Sequence, residues 1–114
     1  MEFKIEKQDN HTLIQVLEEK LDTHIAPTLK SELVLVSGNG ERNIILDLSK
    51  CRYCDSSGLS AILVANRILN TSGGAMRIAA PSEKVYSLIK ITQLDRVLPV
   101  CETVDEAFGE LKKE

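Results

Sequence analysis

An aspartate and two serines at the start of a predicted helix are the residues of this chain best suited to chemistry. The segment Asp55-Ser56-Ser57-Gly58 comes directly before apolar residues at helical spacing, namely Leu59, Ile62, Leu63 and Leu69. Asp and Ser before such a pattern are typical N-cap residues, because their side-chain oxygens accept from the unpaired N–H groups of the first turn. The positive end of a helix also favours anions. The sequence therefore places a carboxylate and two hydroxyls where chemistry with phosphate is easiest.

The cysteines offer a second motif, which we interpret as structural. Cys51 and Cys54 have the spacing of a redox pair or of half a zinc site. The predicted helix begins only after them, whereas a thioredoxin-like pair lies at a helix start. Further zinc ligands would have to come from Cys101, His11 and His24, which are scattered along the chain. We expect two buried packing residues and no metal.

A hydrolase with Ser56 or Ser57 as its nucleophile is also disfavoured. Such a serine needs a base, and the only two histidines lie in the N-terminal quarter of the chain. The sequence around the serines also lacks the pattern of a nucleophile elbow. We therefore expect no enzyme and no cofactor.

The composition describes one small acidic domain. The chain has 114 residues, a net charge of −3 and an isoelectric point near 5.4, so we expect no binding to nucleic acid or to a membrane. Its charged, alternating start is not a signal peptide, and no apolar run approaches the ~20 residues of a membrane span. The odd number of cysteines indicates reduced thiols. We predict a single cytoplasmic domain over residues 1–114.

Strands and helices alternate after an opening hairpin, whose turn is predicted at Asp9-Asn10. Five segments have strand patterns: residues 3–7, 12–17, 44–48, 75–79 and 97–100. Four helices are predicted to begin near residues 23–26, 55, 81–82 and 103. This order predicts an α/β fold with a mixed, mostly parallel sheet of about five strands and about four helices.

The helix after Asp55 has two apolar sides. The side with Leu59 and Ile62 suits the sheet. A second stripe lies nearly opposite at helical steps: Ser57, Ala61, Val64 and Ile68. A surface helix usually turns polar there, so we interpret the stripe as a face for a partner. The alternative is that Ala61 and Ile68 pack on a neighbouring helix.

Together these motifs resemble the STAS domain family, and specifically the bacterial anti-sigma factor antagonists. The strand Ile45-Leu-Asp-Leu-Ser49 and the following Asp55-Ser56-Ser57-Gly58-Leu59 carry the resemblance. Further matches span nearly the whole chain: Leu21-Asp22 after the second strand, Gly73-Gly74 before a later strand, and residues 81–85 and 103–107 at two helix starts. The chain departs from the family pattern at Glu19, where glycine is usual, and at Cys54, where an apolar residue is usual.

The resemblance implies a switch based on phosphorylation. In such antagonists the first serine after the aspartate, here Ser56, is phosphorylated by the cognate anti-sigma factor, a serine kinase that uses ATP and magnesium. The unphosphorylated antagonist binds the kinase and frees a sigma factor, and a PP2C-type serine phosphatase resets the phosphorylated form. The antagonist has no catalytic activity. The residues expected to bind the partner are Asp22, Asp55, Ser57, Gly58, Ala61, Val64 and Ile68.

Local geometry is compatible with the same assignment. As the residue before or at the N-cap, Ser56 keeps its hydroxyl turned outward, whereas the hydroxyl of Ser57 can be occupied by capping. Asp22 follows a strand and precedes a helix, so we expect it at the same end of the sheet as Asp55. Other functions stay open: two serines that only cap, a STAS scaffold or lipid-transport accessory subunit with a different partner, and a small hydrolase or redox enzyme.

Overall fold

The main sheet has five strands, and its first strand is antiparallel to the rest. The computed structural model of the protein describes residues 3–8, 11–40 and 42–112, so the turn predicted at Asp9-Asn10 lies outside the described residues. The strands are hydrogen-bonded in the order β1 (Phe3–Lys7), β2 (Thr12–Val16), β4 (Asn43–Asp47), β6 (Ala75–Ala79) and β7 (Val100–Cys101). β1 and β2 form an antiparallel hairpin, and each later pair is parallel. The predicted mixed sheet is confirmed.

Two strands of two residues each form a separate small sheet. β3 (Lys20–Leu21) pairs in parallel with β5 (Tyr53–Cys54). Three backbone hydrogen bonds lie beside this pairing: Arg52 N to Glu19 O (2.7 Å), Tyr53 N to Glu19 O (3.0 Å) and Asp55 N to Leu21 O (3.2 Å). The sequence pattern did not predict these strands, because two residues are too few to show a period.

Four helices cover the sheet: α1 (Ala26–Gly38), α2 (Ser56–Thr71), α3 (Glu83–Ile91) and α4 (Val104–Lys112). Asp55, Ser82 and Thr103 cap the last three, each accepting from the backbone amide three residues on, at 3.0 to 3.3 Å. Side-chain oxygens at these positions satisfy amides that the first turn leaves unpaired, which is why the sequence located these helix starts well. Among the described residues, no helix has both the length and the apolar character needed to cross a membrane.

Strand β4 is buried on both faces of the sheet, as its continuous apolar sequence predicted. Ile44 and Leu46 face a large core that α1, α2 and α3 cover, whereas Ile45 faces a smaller core under α4. Ile14, Leu46 and Ile78 lie side by side in the register of β2, β4 and β6. This row is fully buried, and it holds the helices of the large core against the sheet.

The last strand begins later than predicted. The strand expected over residues 97–100 is wrong in its extent, because Leu94–Arg96 form a 3₁₀ turn, Val97 is exposed and β7 begins at Val100. Pro99 has no N–H for a ladder and precedes the strand, where its carbonyl still accepts from Ile78 N at 2.9 Å.

Candidate functional site

The small sheet brings Asp22 and Asp55 side by side. Leu21 is paired with Cys54, so the aspartates that follow them leave the same end of this sheet. Asp22 Oδ1 accepts from the backbone N–H of His24 at 3.0 Å and so closes the turn that leads into α1. The two carboxylates thus share a sheet end through strands that the sequence did not predict.

Asp55 is the N-cap of α2, and the two serines are its first helical residues. Asp55 Oδ1 accepts from Gly58 N at 3.0 Å, and Asp55 O accepts from Leu59 N at 3.1 Å. The predicted geometry, with Ser56 at or before the cap and Ser57 occupied by capping, is wrong, because the carboxylate takes that position. Within the described residues, neither serine hydroxyl has a hydrogen-bond partner. Ser56 is exposed and Ser57 half-buried, so both hydroxyls are available to another molecule.

Gly58 lets the first turn of α2 lie directly on β3. A Cβ at this position would meet Leu21 O at 2.5 Å and Cys54 Sγ at 2.8 Å. A backbone oxygen in a close-packed interior cannot move aside cheaply. Gly58 is itself buried, so it acts on the surface only by fixing where the serines stand.

An open groove between α1 and α2 begins at the two serines. Its volume is about 700 Å³. It is lined by four hydroxyl residues, four apolar residues and one amine: Thr23, Ser56, Ser57 and Ser60; Ala26, Pro27, Ala61 and Val64; and Lys30. The first turns of both helices contain no acidic residue. Neutral donors, apolar surface and one positive charge therefore meet in one concave surface beside Ser56.

The second stripe of α2 lies partly against α1 and partly in this groove. Ala61 is buried where α1 packs against α2. Ser57 and Val64 line the groove and are half-buried, and Ile68 is half-buried one turn further along α2. The sequence left open the alternative that this stripe packs on a neighbouring helix. That alternative holds for Ala61, whereas the other residues of the stripe remain partly accessible to solvent.

Five residues of the groove were not singled out as site residues from the sequence: Thr23, Ala26, Pro27, Lys30 and Ser60. Lys30 is the single basic residue of α1 and follows Pro27 by three positions, which places both on one side of the helix. That spacing is a signal in the sequence. It does not show that this side of α1 faces α2, because α1 is apolar on several sides.

The cysteines are buried thiols. Burial raises the pKa of Cys51, and it raises the pKa of Cys54 to about 12, where the nearby Cys51 and Asp55 add to the effect. The Cys51 thiol donates to Tyr53 O at 3.1 Å. A thiol that stays protonated is a poor nucleophile and a poor metal ligand. In the part of the chain that the structure describes, no three metal-binding side chains lie together.

Neither histidine is placed as a base for the serines. His11 lies under α4 with its ring edge-on to Phe108, the ring centroids being 4.7 Å apart. His24 is exposed and does not line the groove. Neither ring is hydrogen-bonded to Ser56 or Ser57. The arrangement offers a hydroxyl to an incoming molecule and gives it no partner within the described residues that could activate it.

Comparison with known proteins points to one family. The sequence profile of the STAS domain matches residues 2–107. The anti-sigma F factor antagonist of Paenibacillus polymyxa is 26% identical over 114 residues, which cover 98% of this chain and 97% of that protein. A Thermotoga maritima protein, provisionally designated an anti-sigma factor antagonist, is 32% identical over 74 residues, or 65% of this chain and 66% of that protein.

Solved structures of the anti-sigma factor antagonist SpoIIAA have the same fold. The unphosphorylated form superposes with a TM-score of 0.82 at 21% identity, over 98% of this chain and 97% of that chain. The phosphorylated form, from Bacillus, gives a TM-score of 0.73 at 21% identity, over 96% and 98% of the two chains. At this identity the likeness concerns the fold alone.

Proposed function

The chain belongs to the STAS domain family, and on that premise we propose that it is an anti-sigma factor antagonist whose binding is switched by phosphorylation of Ser56. The unphosphorylated form binds an anti-sigma factor that is a serine kinase, and the sigma factor is thereby released. One observation carries the proposal: the exposed, unpartnered hydroxyl of Ser56 stands at the start of α2 beside an open groove. The chain acts as a binding module and as a substrate of other enzymes.

The kinase supplies the chemistry of the switch. The Ser56 oxygen forms a bond to the γ-phosphorus of ATP, the bond from that phosphorus to the β–γ bridging oxygen breaks, and ADP leaves. The hydroxyl proton passes to a base of the kinase, which also holds ATP and magnesium. This chain contributes a hydroxyl held at a defined position by the Asp55 cap and by Gly58.

The phosphate is compatible with the fold. It adds roughly −1.5 to −2 charges and three acceptor oxygens. At the first residue of α2 these oxygens lie near the positive end of the helix, which favours an anion. We therefore expect the phosphorylated domain to keep its structure.

The phosphate acts instead on the interface. It stands next to the carboxylate of Asp55, so the surface around Ser56 becomes strongly negative. A partner matched to a neutral hydroxyl then meets repulsion and the cost of desolvating the phosphate. Asp22, Ser57, Val64 and Ile68 form the surrounding contact surface, which Ala61 and Gly58 shape from beneath. A PP2C-type serine phosphatase restores the hydroxyl and with it the binding form.

Phosphate mapping tests the assignment of Ser56. The protein is purified from its own cells, its intact mass is measured, and the phosphate is located by peptide mass spectrometry. We expect one phosphate on Ser56, its loss in Ser56→Ala, and its retention in Ser57→Ala and in Ser60→Ala, which removes another groove hydroxyl. Phosphate on Ser57 or Ser60 would overturn the assignment.

Partner capture tests the switch. Ser56→Ala and Ser56→Asp are used as baits in a lysate of the same cells, and the bound proteins are identified. Ser56→Ala should retain a serine kinase, whereas Ser56→Asp should bind it about 2–5 kcal/mol more weakly, since the added charge is desolvated at the interface. Equal recovery by the two baits would contradict the switch, and recovery of a different class of partner would favour a scaffold.

A further inference from the structure

Among the described residues that line the groove between α1 and α2, Lys30 is the one with a charged side chain. It is exposed, and within the described residues it has neither an ion pair nor a hydrogen bond. Glu32, the acidic residue of α1, follows by two positions and therefore does not face the same side of the helix. The ammonium group of Lys30 is thus available to a charge that arrives in the groove.

The two carboxylates at the sheet end beside Ser56 are held in place. The carboxylate of Asp55 accepts from Gly58 N, and that of Asp22 accepts from His24 N. Both are fixed by the backbone and would repel a phosphate, whereas Lys30 has a long, flexible side chain and three donors. Among the described residues that line the groove, Lys30 is therefore the charged group that can move to balance a new negative charge.

We propose that Lys30 is the counter-charge of the phosphorylated state, in which its ammonium group binds the phosphate on Ser56 across the mouth of the groove. The pairing presupposes the phosphorylation of Ser56 under the proposed function. Lysine is a common phosphate ligand, and hydrogen bonds between ionised groups are about twice as strong as neutral ones. Ser56 and Lys30 belong to different helices, so the pair joins the first turn of α2 to α1.

This pair changes the shape of the partner surface as well as its charge. A phosphate held by Lys30 fills the end of the groove at which Ser56, Ser57 and Thr23 lie. A partner that inserts into the open groove then loses its place there. Release from the phosphorylated form has a steric component in addition to repulsion.

The test uses the full chain with phosphoserine placed at position 56 by genetic encoding, so that neither kinase nor partner is needed. A ³¹P NMR titration measures the second pKa of the phosphate, which is ordinarily about 6. An ammonium group bound to the dianion lowers this pKa, because it favours the more charged form. We expect Lys30→Gln to raise the pKa by about half a unit or more, which is about a threefold change in proton affinity.

Two further variants separate pairing from general charge. Lys30→Arg keeps the charge and should keep the lowered pKa of the phosphate. Lys90→Gln removes an equal charge from α3, where the amine lies 4.7 Å from the centre of the Tyr86 ring, and should leave the pKa unchanged. Amide spectra confirm that each variant is folded.

The outcomes distinguish this pair from the proposed function. An equal phosphate pKa in the wild type and in Lys30→Gln, or an equal rise in Lys90→Gln, would overturn the pair. In that case phosphate found on Ser56 in cells would still support the proposed function. If the chain carries no phosphate in its own cells and captures no kinase, the proposed function fails, while a pKa shift specific to Lys30 still establishes the pair.

Discussion

The two faces of the main sheet differ in depth. One face carries α1, α2 and α3 over a large core of aliphatic side chains, among them Ile14, Leu46 and Ile62. The other face, which we call the thin face, carries α4 over a small cluster that includes Ile45 and Ala107. The groove and the serines lie on the side of the large core, which we call the deep face of the sheet. The elements around Ser56 are therefore anchored in the larger part of the core.

Buried polar side chains occur on both faces of the sheet, and Arg77 and Asp47 are among those that lie on the thin face, which α4 covers. In the register of the strands, Arg77 lies beside Ile45, and Asp47 alternates onto the same side. Asp47 accepts from Ser49 N at 2.9 Å and from Gln15 Nε2 at 3.2 Å. The carboxylate of Asp47 is thus satisfied within the domain, so specific polar partners as well as apolar packing hold the thin face.

Truncating one side chain on each face of β4 compares how much the two cores contribute to stability. These substitutions should give the largest changes in the free energy of unfolding. Leu46→Ala should lower the free energy of unfolding by about 4 kcal/mol, and Ile45→Ala by about 2 kcal/mol. Both side chains are fully buried. The cavity under α4 can collapse more easily, because a single helix covers it. Urea unfolding monitored by circular dichroism gives both values, and a larger loss for Ile45→Ala would reverse the comparison.

Two glycines, one in a helix on each face, allow a second comparison with smaller expected changes in stability. Gly58→Ala should destabilise the domain by about 2–3 kcal/mol, because its Cβ would press on Leu21 O and Cys54 Sγ beneath α2. Gly109 lies within α4, and a Cβ at that position would meet no neighbouring atom within 4 Å.

The matched variant Gly109→Ala should therefore stabilise the domain by about 0.5–1 kcal/mol through helix propensity. Thermal unfolding of the two variants under one set of conditions provides the test. A neutral Gly58→Ala would mean that α2 can shift on β3, and that the serines are held less firmly than the contacts indicate.

The smallest expected effect is the pH dependence of stability that comes from His11, which lies under α4 on the thin face. Burial lowers the pKa of His11 from its ordinary value of 6.5, so the folded state favours the neutral ring. Its contribution to stability is complete above pH 6.5 and is lost as the pH falls from there through the folded pKa, because the unfolded chain then binds the proton more readily.

Urea midpoints measured between about pH 7.5 and about pH 5 should therefore fall more steeply for the wild type than for His11→Gln. His24→Gln, which changes an exposed ring, serves as the control and should follow the wild type. Identical slopes for the wild type and His11→Gln would show that protonation of His11 does not oppose folding.

Much of the fold was predictable because its signals are local and repeated. The strand β4, the helix starts near Ser82 and Thr103 and the mixed order of strands were all predicted correctly. The strand expected at 97–100 was misplaced because an apolar run around Pro99 resembles a strand, although the chain leaves a 3₁₀ turn at Leu94–Arg96 and joins the sheet only at Val100. Apolar composition alone does not distinguish these conformations.

The sequence predicts the helix start at the candidate site but not the geometry around it. The segment from Asp55 to Gly58 was found from its cap pattern, but the choice of Asp55 over a serine as the cap depends on competition between acceptors. The position of Asp22 depends on the pairing of Leu21 with Cys54, which are far apart in the chain. Lys30 entered the site only through the packing of α1 on α2.

The small sheet of β3 and β5 has a consequence for the dynamics of the domain. With two residues in each strand, it can separate while the five-stranded sheet stays intact. The amides of Arg52, Tyr53 and Asp55, which donate to Glu19 and Leu21, then exchange with solvent hydrogen through local opening rather than global unfolding. Because the first turn of α2 rests on β3, the same opening loosens the segment around Ser56. Under the proposed function, that segment can thereby adapt to the active site of the kinase while the rest of the domain remains folded.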